Sequence, residues 1–169
     1  MKNVNIEYWK KLETGSSKIN CDGAFEENSG AAAIKIIMRD EHGSIIDGVA
    51  KEVSVLFGVE SEALAVKEAV SLAVRRSLDS VTIETDSAIV QQSIGNYPKE
   101  NVRDWRIVPI IQDIKASLNS FTAPNLRWVS RKANIAANWV AVNTRKKKLM
   151  PLILKNCLGI VHSLSNNFN

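Results

Sequence analysis

Three carboxylates in this sequence could act together on a cation. Asp22 lies in the first segment that reads as a strand, Glu62 in the opening turn of an Ala-rich segment that reads as a helix, and Asp86 just after the β-branched run Val81-Thr82-Ile83. Each acid also has an ordinary explanation. Asp22 precedes Gly23, and an Asp-Gly pair suits a turn at a strand end. Asp86 could cap the helix that follows it, and Glu62 suits the positive end of a helix dipole. Yet Glu62 points to the unexpected side. At about 100° per residue from Glu60, Lys67, Glu68 and Arg75 share the Glu60 face, whereas Glu62 projects beside Val66, Ala69 and Ala73. Asp86 also sits where open α/β sheets bind ligands, outside the carboxyl end of a parallel strand. Acids gathered at one mouth of a sheet repel one another unless a cation neutralises them, and their hard oxygens select Mg²⁺ or Mn²⁺.

The elements that would position these acids follow from periodicity and turn chemistry. Residues 18–24, 32–39 and 44–53 read as strands, the second with Ile34, Ile36 and Met38 on one side. Glu27-Asn28-Ser29-Gly30 and Asp40-Glu41-His42-Gly43 supply turn residues, so an antiparallel meander is expected. Residues 59–76 lack Gly and Pro and favour a helix. Residues 80–85 read as a fourth strand and 87–94 as a short helix stopped by Gly95. A longer helix follows Tyr97-Pro98, with Ile107, Ile110, Ile111, Ile114, Leu118 and Phe121 at helical spacing. Pro109 either kinks it or stands in the first turn of a helix that begins near Val108. Pro124 introduces a last strand, 126–130, and residues 134–148 form a final helix with Ile135, Trp139 and Val142 on one face. Trp128 and Trp139 are expected in the core. The helical crossovers make the later strands parallel, which gives an α/β domain over residues 16–148, an N-terminal extension 1–15 and a C-terminal tail 149–169.

With 169 residues, 45% of them hydrophobic and 24% charged, the chain suits one soluble globular domain and excludes a disordered or collagen-like one. The net charge of +4 hides an asymmetry: residues 114–169 carry nine basic residues and no acidic one, which leaves 13 basic and 18 acidic before them. A balance of −5 followed by +9 fits binding to nucleic acid or another anionic surface, and equally a solvated basic face. Cys21 and Cys157 have no zinc or disulfide spacing and read as reduced structural thiols. The first residues lack the apolar run of a secretory signal, so an intracellular protein is expected, in cytoplasm or nucleus. The apolar stretch 149–164 contains Pro151, Lys155 and His162 and is shorter than the roughly 20 residues of a membrane helix. That stretch is the one feature favouring a protein-interaction role.

Read in order, Lys18-Ile19-Asn20-Cys21-Asp22-Gly23-Ala24, Met38-Arg39-Asp40 to Gly43, Glu62-Ala63-Leu64-Ala65, Glu84-Thr85-Asp86-Ser87 and Arg131-Lys132-Ala133-Asn134 to Ala141 resemble the ribonuclease H-like domain. The likeness spans about residues 16–145 and is greatest to the plant, reverse-transcriptase-associated version of that domain. It implies a five-stranded mixed sheet, antiparallel then parallel, flanked by helices, and hydrolysis of the RNA strand of RNA-DNA hybrids. It further implies that Asp22, Glu62 and Asp86, with a fourth aspartate, hold two Mg²⁺ or Mn²⁺ ions, Asp22 bridging them.

The fourth position is Asn138 here, which offers a carbonyl oxygen but no charge. On residue type alone, Asn138 could instead be an inert, locally hydrogen-bonded amide. Many ribonucleases of this fold carry a histidine before the last helix; His42 and His162 lie elsewhere, although the plant subgroup often lacks it too. Ser87, Arg131 and Lys132 are the expected nucleic-acid contacts. Arg145-Lys146-Lys147-Lys148 suits a helix C-terminus, phosphate contact or nuclear import. The resemblance leaves two readings open: a monomeric hybrid-cleaving endonuclease, or a retroelement-derived module that binds nucleic acid or a protein partner without turnover.

Overall fold

Turn chemistry organises the first half of the sheet. The computed structural model describes residues 15–95 and 104–134. Strand β1 (Ser17–Glu26) turns into β2 (Ala31–Arg39) through Gly30, whose φ of 68° is open to glycine at no steric cost. Between β2 and β3 (Ile45–Val53), the Asp40 carboxylate accepts from the backbone N–H groups of His42 and Ser44 at 2.9 and 2.8 Å. That turn employs His42 at the far end of the meander. Strands β1, β2 and β3 are antiparallel neighbours, as their turn residues lead one to expect.

Helix α1 (Gly58–Arg75) starts where the Glu60 carboxylate accepts from the Leu56 and Phe57 N–H groups, satisfying donors that the first helical turn leaves open. Its Ala63, Val66, Ala69, Val70 and Ala73 are buried against Ile19, Cys21, Ile34, Ile36 and Met38 of the sheet. The alanines let the helix lie close. Strand β4 (Ser80–Thr85) runs parallel to β1, α2 (Ala88–Gly95) follows it, and a 3-10 turn (Trp105–Ile107) leads into α3 (Val108–Leu118). Pro109 stands in the first turn of α3, where its missing N–H costs no hydrogen bond. Strand β5 (Ala123–Trp128) completes a five-stranded sheet in the order β3-β2-β1-β4-β5, with β5 parallel to β4.

Three expectations need correction. Asp22-Gly23 does not close a strand: β1 continues to Glu26, with Gly23 opposite Ile34. Strand β5 begins at Ala123 rather than Leu126 and contains Pro124, which an edge strand tolerates because it has one neighbour only. Trp128 is 48% exposed and does not join the core. The final helix expected at 134–148, with Trp139 and Asn138, and the tail 149–169 lie outside the described residues beyond Asn134. Among the described residues no helix is long and apolar enough to cross a membrane.

Candidate metal centre

The parallel pair β1–β4 has its last paired rung at Cys21 and Thr85, so Asp22 and Asp86 stand next to each other just past it. Helix α1 starts over the same end of the sheet. Its third acid arrives because residue 23 has no side chain: a Cβ on Gly23 would lie 2.4 Å from the Ser61 carbonyl carbon and 2.5 Å from the Glu62 nitrogen. With the helix backbone that close, the Gly23 N–H donates to Glu62 Oε2 at 3.2 Å. One carboxylate oxygen from each of Asp22, Glu62 and Asp86 then lies within 4.8 Å of the others. The inward projection of Glu62 places it with the strand acids rather than in solvent.

Asp86 is not the cap of α2. Ser87 takes that place: its hydroxyl accepts from the Val90 N–H at 3.4 Å, while the Thr85 hydroxyl accepts from the Ser87 N–H. Asp86 turns inward, its side chain 3% exposed, with Arg131 Nε 3.1 Å from Oδ2 and Asn134 Nδ2 3.3 Å from Oδ1. The Trp128 indole N–H donates to the Asp86 carbonyl at 3.1 Å, which explains why this tryptophan stays at the surface. Lys132 is exposed beside Arg131.

The electrostatics are those of a site short of positive charge. Burial and the nearby Asp86 carboxylate push Asp22 up to about 7, against partial relief from Arg131 and Lys35. Burial, then Asp22 and Asp86, push Glu62 up to about 8, although the Gly23 N–H favours its ionised form. Asp22 and Glu62, which ionise only at a cost here, fit a divalent cation, whose charge would bring their pKa values down.

Asn134 escapes a reading of the sequence that looks for acids. It is 1% exposed, and its Nδ2 also donates to the Cys21 carbonyl at 3.0 Å, so one amide joins the ends of β1 and β4. Among the described residues its Oδ1 has no hydrogen-bond partner, which leaves a buried acceptor beside the acids. The signal available in the sequence is its spacing of four from Asn138, which would place both on one helical face.

No curated protein matches the chain significantly. A sequence model described as reverse transcriptase-like matches residues 20–144, about three quarters of the chain. The chain belongs to the reverse transcriptase-like family. The fold of this reverse transcriptase-like chain is that of RNase H. RNase H1 from the archaeon Halobacterium salinarum superposes with a TM-score of 0.68 at 19% identity, over 79% of this chain and 99% of that one. The N-terminal RNase H domain of a Mycobacterium tuberculosis protein, solved as a fusion with maltose-binding protein, gives 0.70 at 18%, over 80% and 96%. LC11-RNase H1, isolated from compost, was solved in complex with an RNA/DNA hybrid and gives 0.68 at 17%, over 79% and 99%.

Proposed function

We propose that this reverse transcriptase-like chain is a Mg²⁺- or Mn²⁺-dependent endonuclease that hydrolyses the RNA strand of RNA-DNA hybrids. Asp22, Glu62 and Asp86 are its metal ligands and Asn138 is a neutral fourth. The observation that carries the reading is the meeting of three carboxylates from β1, α1 and the end of β4 within 4.8 Å. Two divalent ions bound there would lower the pKa of an attacking water and stabilise the leaving 3′-oxygen.

The chain's own residues have separable tasks. Asp22, which feels the Asp86 charge and itself acts on Glu62, would be the ligand shared between the ions, as the sequence resemblance implies. Glu62, fixed by the Gly23 N–H, brings an acid from the opposite layer. Asn134 orients Asp86 through Oδ1, while Arg131 neutralises Oδ2, the oxygen that a cation would take over. Asn138, if it stands at the fourth position that the resemblance implies, would supply an oxygen but no charge, which would weaken retention of a second ion. The exposed Arg131, its side chain 76% accessible, and the exposed Lys132 would meet phosphates, as would Ser87, the residue after Asp86. Such contacts read the backbone and 2′-hydroxyls of an A-form-like hybrid rather than its base sequence. On the sequence resemblance alone, we read the protein as derived from a plant retroelement.

The test is incubation of a labelled hybrid with purified protein and Mg²⁺ or Mn²⁺. Metal-dependent cleavage of the RNA strand that disappears in Asp22→Asn supports the reading; equal products from both proteins overturn it. One observation favours a second reading, a module that binds hybrids without turnover: Asn138 stands where a carboxylate is expected. That reading predicts salt-sensitive hybrid binding without products.

A further inference from the structure

On the face of the sheet turned away from α1 lies a buried ionic group that the three acids do not include. Glu84 of β4 is 3% exposed and stands opposite Asn20 of β1, also 3% exposed, in the parallel ladder. Asn20 Nδ2 donates to Glu84 Oε2 at 2.7 Å. The other oxygen, Oε1, receives Lys18 Nζ at 3.0 Å and Arg127 Nε at 2.9 Å, with a second nitrogen of the Arg127 guanidinium on the same atom. A single carboxylate thus ties β1, β4 and β5 together.

Side chains two apart on a strand share a face, so Asn20 leads directly to Asp22 and Glu84 to Asp86. One rung remains after the Asn20–Glu84 pair, Cys21 opposite Thr85, before the two acids leave the ladder. We infer that the Asn20–Glu84 clamp sets the spacing of Asp22 and Asp86, which makes both positioning residues of the metal site. This rests on the metal-binding reading above.

Stability alone does not account for the arrangement. Well-packed apolar side chains in place of a buried ion pair are often as stable or more so. Among the described residues Asn20 Oδ1 has no hydrogen-bond partner, an added cost that an apolar residue would avoid. What a hydrogen-bonded carboxylate adds is directionality: its donors on both neighbouring strands fix their lateral and longitudinal offset, whereas apolar contacts tolerate sliding.

The experiment is Mn²⁺ binding to the full chain, read by electron paramagnetic resonance, for the native protein, Asn20→Ala, Glu84→Gln and the core control Ile114→Val. Circular dichroism and thermal melting accompany each sample. The clamp predicts at least fivefold weaker Mn²⁺ binding by folded Asn20→Ala, which changes no charge, and a larger loss in Glu84→Gln. The control, destabilised in α3, should bind within twofold of native. Binding within twofold by folded Asn20→Ala, or an equal loss in the control, overturns the clamp and leaves the metal site standing. Should Glu84→Gln fail to fold because the charge facing Lys18 and Arg127 is lost, Asn20→Ala decides alone. A native chain that binds Mn²⁺ no better than Asp22→Asn overturns the metal reading itself, and the clamp with it.

Discussion

The backbone N–H of Gly23 donates to the Glu62 carboxylate at 3.2 Å, across a gap between β1 and α1 too narrow for even a methyl group. The strand acid, the adjacent glycine and the helix acid therefore form one structural unit. Gly23 is the reason a helix lying against one face of the sheet can deliver a carboxylate to acids at its edge.

Replacing Gly23 with Ala forces the first turn of α1 outward, because the new Cβ meets backbone rather than a side chain that could rotate away. The expected cost is about 1–3 kcal/mol of stability, as for other overpacked sites. Mn²⁺ affinity should fall at least tenfold, as Glu62 moves with the helix. Thermal melting and metal titration of the same preparation measure both.

Metal binding should tighten with pH. A divalent ion requires Asp22 and Glu62 ionised, and without it they hold protons up to about pH 7 and about pH 8. Calorimetric titration with Mn²⁺ should show at least tenfold higher affinity at pH 8.5 than at pH 6, with protons released on binding at the lower pH. Affinity independent of pH across that range would contradict the assigned pKa values.

The same shifts give the metal-free protein an unusual stability profile. Both carboxyls have folded-state values above their unfolded ones of about 4, so between about pH 4 and 8 the folded state binds more protons than the unfolded state. Their contribution to stability therefore falls as pH rises through this window. Asp22→Asn removes one such group and should stabilise the metal-free protein at pH 8 by about 1–3 kcal/mol, with a smaller gain at pH 5. Chemical denaturation at the two pH values, with metal chelated, tests this.

Arg131 occupies one oxygen of Asp86 and competes with a metal for it. Arg131→Ala should tighten Mn²⁺ binding modestly, by up to about fivefold, since an exposed ion pair contributes roughly 0–1 kcal/mol. It should also weaken hybrid binding and lower the salt dependence of that binding by about one ion. Calorimetry and a salt series of fluorescence anisotropy separate the two effects.

Local chemistry made most of the elements readable. Gly30 and the Asp40 to Gly43 turn define the meander, and the Ala-rich, Gly-free run defines α1. The three acids could be picked out because Glu62 violates the amphipathic pattern of its helix and Asp86 follows a parallel strand. Features that depend on distant partners were not legible. Gly23 resembled a turn glycine because the helix that presses on it is 39 residues away in the bond to Glu62. Asn134 reaches a carbonyl 113 residues earlier, and Glu84 looks like a solvent-facing strand residue until Lys18 and Arg127 close on it. The start of β5 was displaced because Pro124 reads as a breaker unless the strand is known to lie at the sheet edge.

The most direct test of the central claim is hybrid cleavage by Asn138→Asp beside the native chain and Asp22→Asn, with Mn²⁺ and matched hybrid binding. If Asp22, Glu62 and Asp86 form a sound metal site limited by a neutral fourth ligand, the added carboxylate should raise the cleavage rate at least tenfold over native. An Asn138→Asp protein that binds the hybrid yet cleaves no faster than Asp22→Asn would contradict the account.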